Sequence, residues 1–127
     1  MSEIHAQWDG CELALNATEA GLHELARDLR SARVGAYVLG ERNASPGCTS
    51  ILRLQIELGE GNVRIEVDNQ MAILSGGGAS LSLLADNLDF LRSQWANGGK
   101  QHLHLDPASN AFLVSEDSEA FIVGPME

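Results

Sequence analysis

Two stretches of this chain follow one plan. Residues 12–30 and 71–89 each read as a short apolar strand, a turn and an amphipathic helix, at an offset of 59 residues. Six positions are identical between them: Leu15 and Leu74, Ala20 and Ala79, Leu22 and Leu81, Leu25 and Leu84, Ala26 and Ala85, Leu29 and Leu88. All six are Leu or Ala, which any two amphipathic helices could share, yet the common register favours an internal duplication. Leucines at helical spacing predict helices over residues 18–32 and 79–95. Asn16 reads as the N-cap of the first, with Glu19 three residues on as in a capping box. Asn97-Gly98-Gly99 ends the second.

Strand patterns follow each helix. Leu52, Leu54, Ile56 and Leu58 alternate with Arg53, Gln55 and Glu57, and Val63, Ile65 and Val67 alternate with Arg64, Glu66 and Asp68. With Gly59-Glu60-Gly61-Asn62 between them they predict an antiparallel hairpin, residues 51–58 and 62–68, one face buried and one wet. A strand at 71–74 comes next. After the second helix, strands are expected at 101–106, 111–114 and 119–123. Residues 1–10 read as a leader or an edge strand, 34–39 as an apolar stretch broken by Gly35, and 40–49 as an exposed loop where disorder is expected. The predicted fold class is α+β: pseudo-duplicated strand-helix-hairpin units, with two helices on one face of a mostly antiparallel sheet. Leu22, Leu25, Leu29, Leu81, Leu84, Leu88, Leu54, Ile56, Ile65, Leu103 and Leu105 should share one core.

At 127 residues the chain fits a single domain, with pseudo-repeat halves at about 11–69 and 70–124. Eight basic residues against 18 acidic ones give a formal net charge of −10. That balance argues against nucleic acid, whose phosphates need a basic surface, and suits a basic partner. The sequence shows no signal peptide and no apolar run long enough to span a bilayer, so no membrane association is expected and a cytoplasmic location is the default. Cys11 and Cys48 lack disulfide-framework or metal spacing and read as reduced thiols.

The sharpest local pattern is His102-Leu103-His104-Leu105-Asp106. On a strand, His102, His104 and Asp106 share a face, and two imidazoles with a carboxylate could begin a transition-metal site or a small metal-dependent hydrolase. The local sequence lacks a further strong ligand, which His5, His23 or an acidic residue on a neighbouring strand could supply, and Asp106 before Pro107 also suits a turn cap. The solvated strand edge is the favoured reading, with no metal and no cofactor. Ser75-Gly76-Gly77-Gly78 lies between strand and helix, where glycine-rich turns can hold phosphate, but no P-loop lysine or dinucleotide-binding spacing accompanies it. No serine or cysteine has a nucleophile setting, so no catalytic residue and no enzymatic activity is expected.

Residues 71–123 carry a strand, then a helix of the form G-x-x-x-L-x-x-L-A-x-x-L (residues 77–88), then His102-x-His104-Leu105-Asp106. A Ser-led strand, Ser118-Glu-Ala-Phe-Ile-Val123, closes the set. This half resembles immunity protein family 32 of the bacterial polymorphic-toxin systems; the first half departs from it, with Leu52-Arg-Leu-Gln55 where the histidine motif would stand. The resemblance implies a small protein that binds and neutralises a toxin domain. Candidate contacts are the acidic turn at Glu116, Asp117 and Glu119, and the wet sheet face with Glu57, Glu66 and Asp68 beside Arg53, Gln55, Arg64, His102 and His104. A homodimer by strand-edge pairing, with no small-molecule site, is the remaining expectation.

Overall fold

The computed structural model describes residues 3–31, 35–39 and 44–126. Strands β1 (Ile4–Trp8) and β2 (Glu12–Ala17) form a hairpin closed by the Asp9 carboxylate, which accepts the N–H groups of Cys11 and Glu12 at 2.8 and 2.7 Å. Helix α1 (Glu19–Arg30) follows, then β3 (Gly35–Val38), β4 (Thr49–Ile51) and β5 (Arg53–Leu58). The second half repeats the order with β6 (Arg64–Asp68), β7 (Met71–Gly76), α2 (Gly78–Ala96), β8 (Leu103–Leu105) and β9 (Ala120–Pro125). The expected loop at 40–49 lies partly outside the described residues, from Gly40 to Asn43.

The α+β class holds, and the strands divide into two sheets. Sheet A runs β4-β1-β2-β9-β8 and sheet B runs β3-β5-β7-β6. Each contains one parallel pair among antiparallel ones: β2 with β9, where Glu12 faces Ala120, and β5 with β7, where Arg53 faces Met71. β2 and β7 share the same alternation, with Leu13, Leu15 and Ala17 buried in one and Ala72, Leu74 and Gly76 in the other. The chain leaves sheet A through α1 to reach β3 and β5 in sheet B, and leaves sheet B through α2 to reach β8 and β9 in sheet A. Each half therefore completes the other's sheet.

This exchange corrects the expected hairpin. β5 and β6 do not pair; β7 lies between them, parallel to β5 and antiparallel to β6. The true hairpin is β6–β7, turned at Asn69-Gln70, where Asn69 takes the left-handed φ of 55° that a tight hairpin turn requires. Alternation fixed which face of each strand is buried, and it carries no information on which neighbour a strand meets.

Both ends of sheet B differ in cover. β6 is flanked by residues 113–119, joined through an isolated parallel bridge of Val63 with Val114. The expected strand at 111–114 is thus a turn with one bridge. Buried Ser118 fixes this flank: its Oγ accepts the Ile65 N–H at 2.8 Å and donates to the Glu119 carbonyl at 2.9 Å. β3 lies at the opposite edge and carries no charged residue, and Val38 is 83% exposed.

The helices pack against each other antiparallel. Arg30 at the end of α1 meets Asp86 at 2.7 Å and Asp89 of α2, while Glu19, Ala20 and His23 share a groove with Arg92. Leu22, Leu25, Ala26 and Leu29 of α1 and Leu81, Leu84, Ala85, Leu88 and Leu91 of α2 join the buried faces of both sheets in one core. Every expected core residue is buried there except Leu103, which is partly buried and packs against it. α1 is capped by Thr18, whose Oγ1 accepts the Gly21 N–H at 3.1 Å, and not by Asn16, which remains in β2. No helix among the described residues is long and apolar enough to cross a membrane.

Tyr37, the single tyrosine of the chain, ties β3 to α1 by donating a hydrogen bond to the Asp28 carboxylate. Burial first, and then this bond, push its phenol well above the ordinary tyrosine value. With the folded value raised, the tyrosine contributes stability that is complete below about pH 10 and lost as pH rises beyond it. Folded protein should therefore show no tyrosinate absorbance at about pH 10–11, and its unfolding midpoint should fall over that range, while Tyr37→Phe loses that part of the alkaline fall. Tyrosinate appearing near pH 10 with the fold intact would refute the assignment.

Candidate interaction surface

The outer face of sheet B gathers most of the acidic residues read as contacts. Outward-pointing residues on β5, β7 and β6 fall into cross-strand rows: Arg53, Met71 and Asp68; Gln55, Ile73 and Glu66; Glu57, Ser75 and Arg64. Residues opposite one another on neighbouring strands stand within side-chain reach. Arg64 is held between two carboxylates, its guanidinium 2.5 Å from Glu66 and 3.3 Å from Asp117. Gln55 Nε2 donates to Glu57 at 3.4 Å. The middle strand supplies half-buried Met71 and Ile73, an apolar stripe between charged flanks.

The acidic turn extends this face. Asp117 accepts the Ser115 hydroxyl at 2.5 Å, and this bond, with Arg64 beside it, lowers its carboxyl below the ordinary range. Glu119 is joined to β6 through its backbone N–H, which donates to the Ile65 carbonyl at 3.0 Å; Glu116 is exposed at the tip. Thus Glu57, Glu66, Asp68 and Asp117 sit on or beside one surface with Arg53 and Arg64.

His102 and His104 do not belong to it, contrary to the single wet face read from sequence. They lie on sheet A, where His104 faces Ile122 and the His102 ring covers Gly124. Nor do His102, His104 and Asp106 act together. β8 ends at Leu105, and the Asp106 carboxylate caps the following turn by accepting the Ser109 N–H at 2.8 Å. Among the described residues no group of three or more His, Cys, Asp or Glu side chains could hold a metal ion. His23 is on α1, away from this strand, whereas His5 shares the outer face of sheet A with His102 and His104. Cys11 and Cys48 are free thiols.

Sequence reasoning missed two features, one at the acidic turn and one at the start of α1. Ser118 is a buried anchor for the acidic turn; its place at the head of an apolar strand is a signal in hindsight, since a hydroxyl there must satisfy a backbone group. Asn16 was assigned to a helix cap, when Thr18 two residues on has the same capping ability. Compared with known proteins, the chain matches no family model, no curated protein and no solved structure.

Proposed function

We propose that this chain is a non-enzymatic protein-binding module of the immunity type, with the outer face of sheet B as its recognition surface. One observation carries the reading: four carboxylates, Glu57, Glu66, Asp68 and Asp117, flank a half-buried apolar stripe of Met71 and Ile73 on one sheet face. An apolar centre with a polar, charged rim is the anatomy of a protein interface. The net charge of −10 favours a basic partner, and the resemblance of residues 71–123 to immunity protein family 32 suggests that the partner is a toxin domain encoded nearby. Inhibition would be steric, with carboxylates steering encounter.

Co-expression with the neighbouring candidate toxin should protect the host cell. Replacing Glu57, Glu66, Asp68 and Asp117 by their amides should slow association about tenfold at low salt. The difference should shrink as ionic strength shortens the screening length to about 8 Å and below. The Glu116, Asp117 and Glu119 triple amide variant should show the smaller part of the same effect. Absence of protection and of binding overturns the immunity reading. Binding with salt-independent, unaltered association in the charge variants moves the interface off sheet B.

A further inference from the structure

The edge of a sheet exposes backbone groups that can pair with another chain, and proteins shield it with charges, prolines, bulges, short strands or cover. Sheet A ends in β4 and β8, each three residues long, and β8 carries exposed His104. In sheet B the outer side of β6 is covered by residues 113–119. β3 is the remaining edge. Gly35-Ala36-Tyr37-Val38 holds no charge and no proline, and pairs with β5 residue for residue, without a bulge. Among the described residues no strand lies on its far side; Gly35 and Ala36 are exposed, and Val38 is 83% exposed.

The hydrogen-bond phase of β3 shows which groups reach the open side. The Leu39 N–H donates to the Leu52 carbonyl at 2.9 Å. Bonded and non-bonded pairs alternate along an antiparallel ladder, so Tyr37 with Leu54 and Gly35 with Ile56 are bonded pairs. The far side of β5 agrees: the Arg53 N–H turns towards β7 and the Gln70 carbonyl at 3.3 Å, which leaves Leu54 turned to β3. Ala36 and Val38 therefore aim their N–H and C=O groups away from β5. Their side chains stand on the outer face, beside Gln55 and Arg53.

We propose that β3 pairs with β3 of a second copy of this chain, antiparallel about a two-fold axis at Tyr37. Ala36 then faces Val38 of the other copy and Val38 faces its Ala36, each pair exchanging two hydrogen bonds. A chain of net charge −10 repels its copies over much of its surface, but not at this joint. The row that crosses it runs Arg53, Val38, then Ala36 and Gln55 of the second copy, with no like charges together. On the inner face Tyr37 holds Asp28, which stands 3.7 Å from Arg27 of its own helix, so that carboxylate is partnered within each copy. The two four-stranded sheets join into one, with both outer faces on the same side. This joint does not rest on the reading of that face as a partner surface.

The test is sedimentation equilibrium of the full chain, with a reductant to keep Cys11 and Cys48 as thiols. The joint is small, so a reversible rise towards twice the chain mass is expected between about 10 µM and about 1 mM. Amide hydrogen exchange reads the register. Ala36 and Val38 should exchange fast in dilute protein and slowly at dimer concentration, while the Tyr37 N–H stays protected in both. Val38→Pro removes an N–H that β5 does not use, and should weaken association at least about tenfold. Val38→Lys, which keeps the backbone whole and puts a charge on the edge, should do the same. A chain that stays monomeric overturns the proposal, even if Val38→Pro weakens capture of the candidate toxin, since the edge would then serve a foreign strand. So does a dimer that both variants leave intact, or one in which Ala36 and Val38 exchange as in dilute protein.

Discussion

Truncating Leu84 or Leu25 to Ala should destabilise the protein by about 2–5 kcal/mol each, one of the two largest effects expected of single substitutions in this fold. The two leucines occupy matching positions of the duplicated helices and are 1% and 2% exposed. Each reaches into the one core that both helices and both sheets share. Removing three carbons there forfeits the transfer free energy of the lost groups and leaves a cavity that packed neighbours fill only in part. Among the described residues neither helix has a second layer behind it to collapse inward, because the opposite side of each is exposed at Arg27, Arg30, Asp86 and Phe90. Urea unfolding measures the difference as a fall in midpoint at nearly constant slope. A loss below about 1 kcal/mol for both variants would mean that the helix faces are misassigned. The exchange of strands adds a second expectation. Each half supplies the other's sheet, so either substitution should lower the stability of the whole molecule in one transition. Two separable transitions would contradict the mutual completion of the sheets.

How much of this was legible beforehand depends on the range of the interaction involved. Helix limits and buried faces came within a few residues, because the 3.6-residue and two-residue periods are local consequences of backbone geometry. Leu22 to Leu29 and Leu81 to Leu88 show this. Strand pairing was misjudged at β5–β6, because a strand's sequence records which face is buried and not which strand lies beside it. The one local clue was Asn69, whose tolerance of positive φ marked the turn of the real hairpin. The candidate surface was half legible for the same reason. Alternation placed Glu57, Glu66 and Asp68 on a wet face, but could not tell that His102 and His104 face solvent from the other sheet. Asn16 was misread because two good capping residues stand two positions apart, and the choice between them is made by the tertiary contact of Thr18 with Glu3, whose N–H donates to Thr18 Oγ1 at 2.9 Å.

Gly21→Ala should lower stability by about 1–3 kcal/mol, although the position is helical and Ala is the better helix former. Two effects of opposite sign meet there. Propensity favours Ala over Gly by about 1 kcal/mol in a helix interior. Against this, a Cβ at Gly21 would overlap the Glu3 carbonyl oxygen and stand 3.0 Å from its carbon and 3.2 Å from the Glu3 nitrogen. These are backbone atoms, so the clash is not relieved by a rotamer change. Relief requires that the strand leading into β1 move away from α1. That movement strains the bonds that dock it: Thr18 N–H to the Glu3 carbonyl at 3.0 Å, and Glu3 N–H to Thr18 Oγ1 at 2.9 Å. The second of these involves the side chain that caps α1, so the cost reaches the helix terminus as well. Overpacking and cap loss together exceed the propensity gain. Gly78→Ala in the first turn of α2 isolates the favourable term, because a Cβ there meets nothing within 4 Å. It should be neutral or stabilise by up to about 1 kcal/mol. Opposite signs for the two substitutions, measured side by side by denaturant unfolding, are the expected result. Equal gains at both positions would mean that the N-terminal strand does not press on α1 at Gly21.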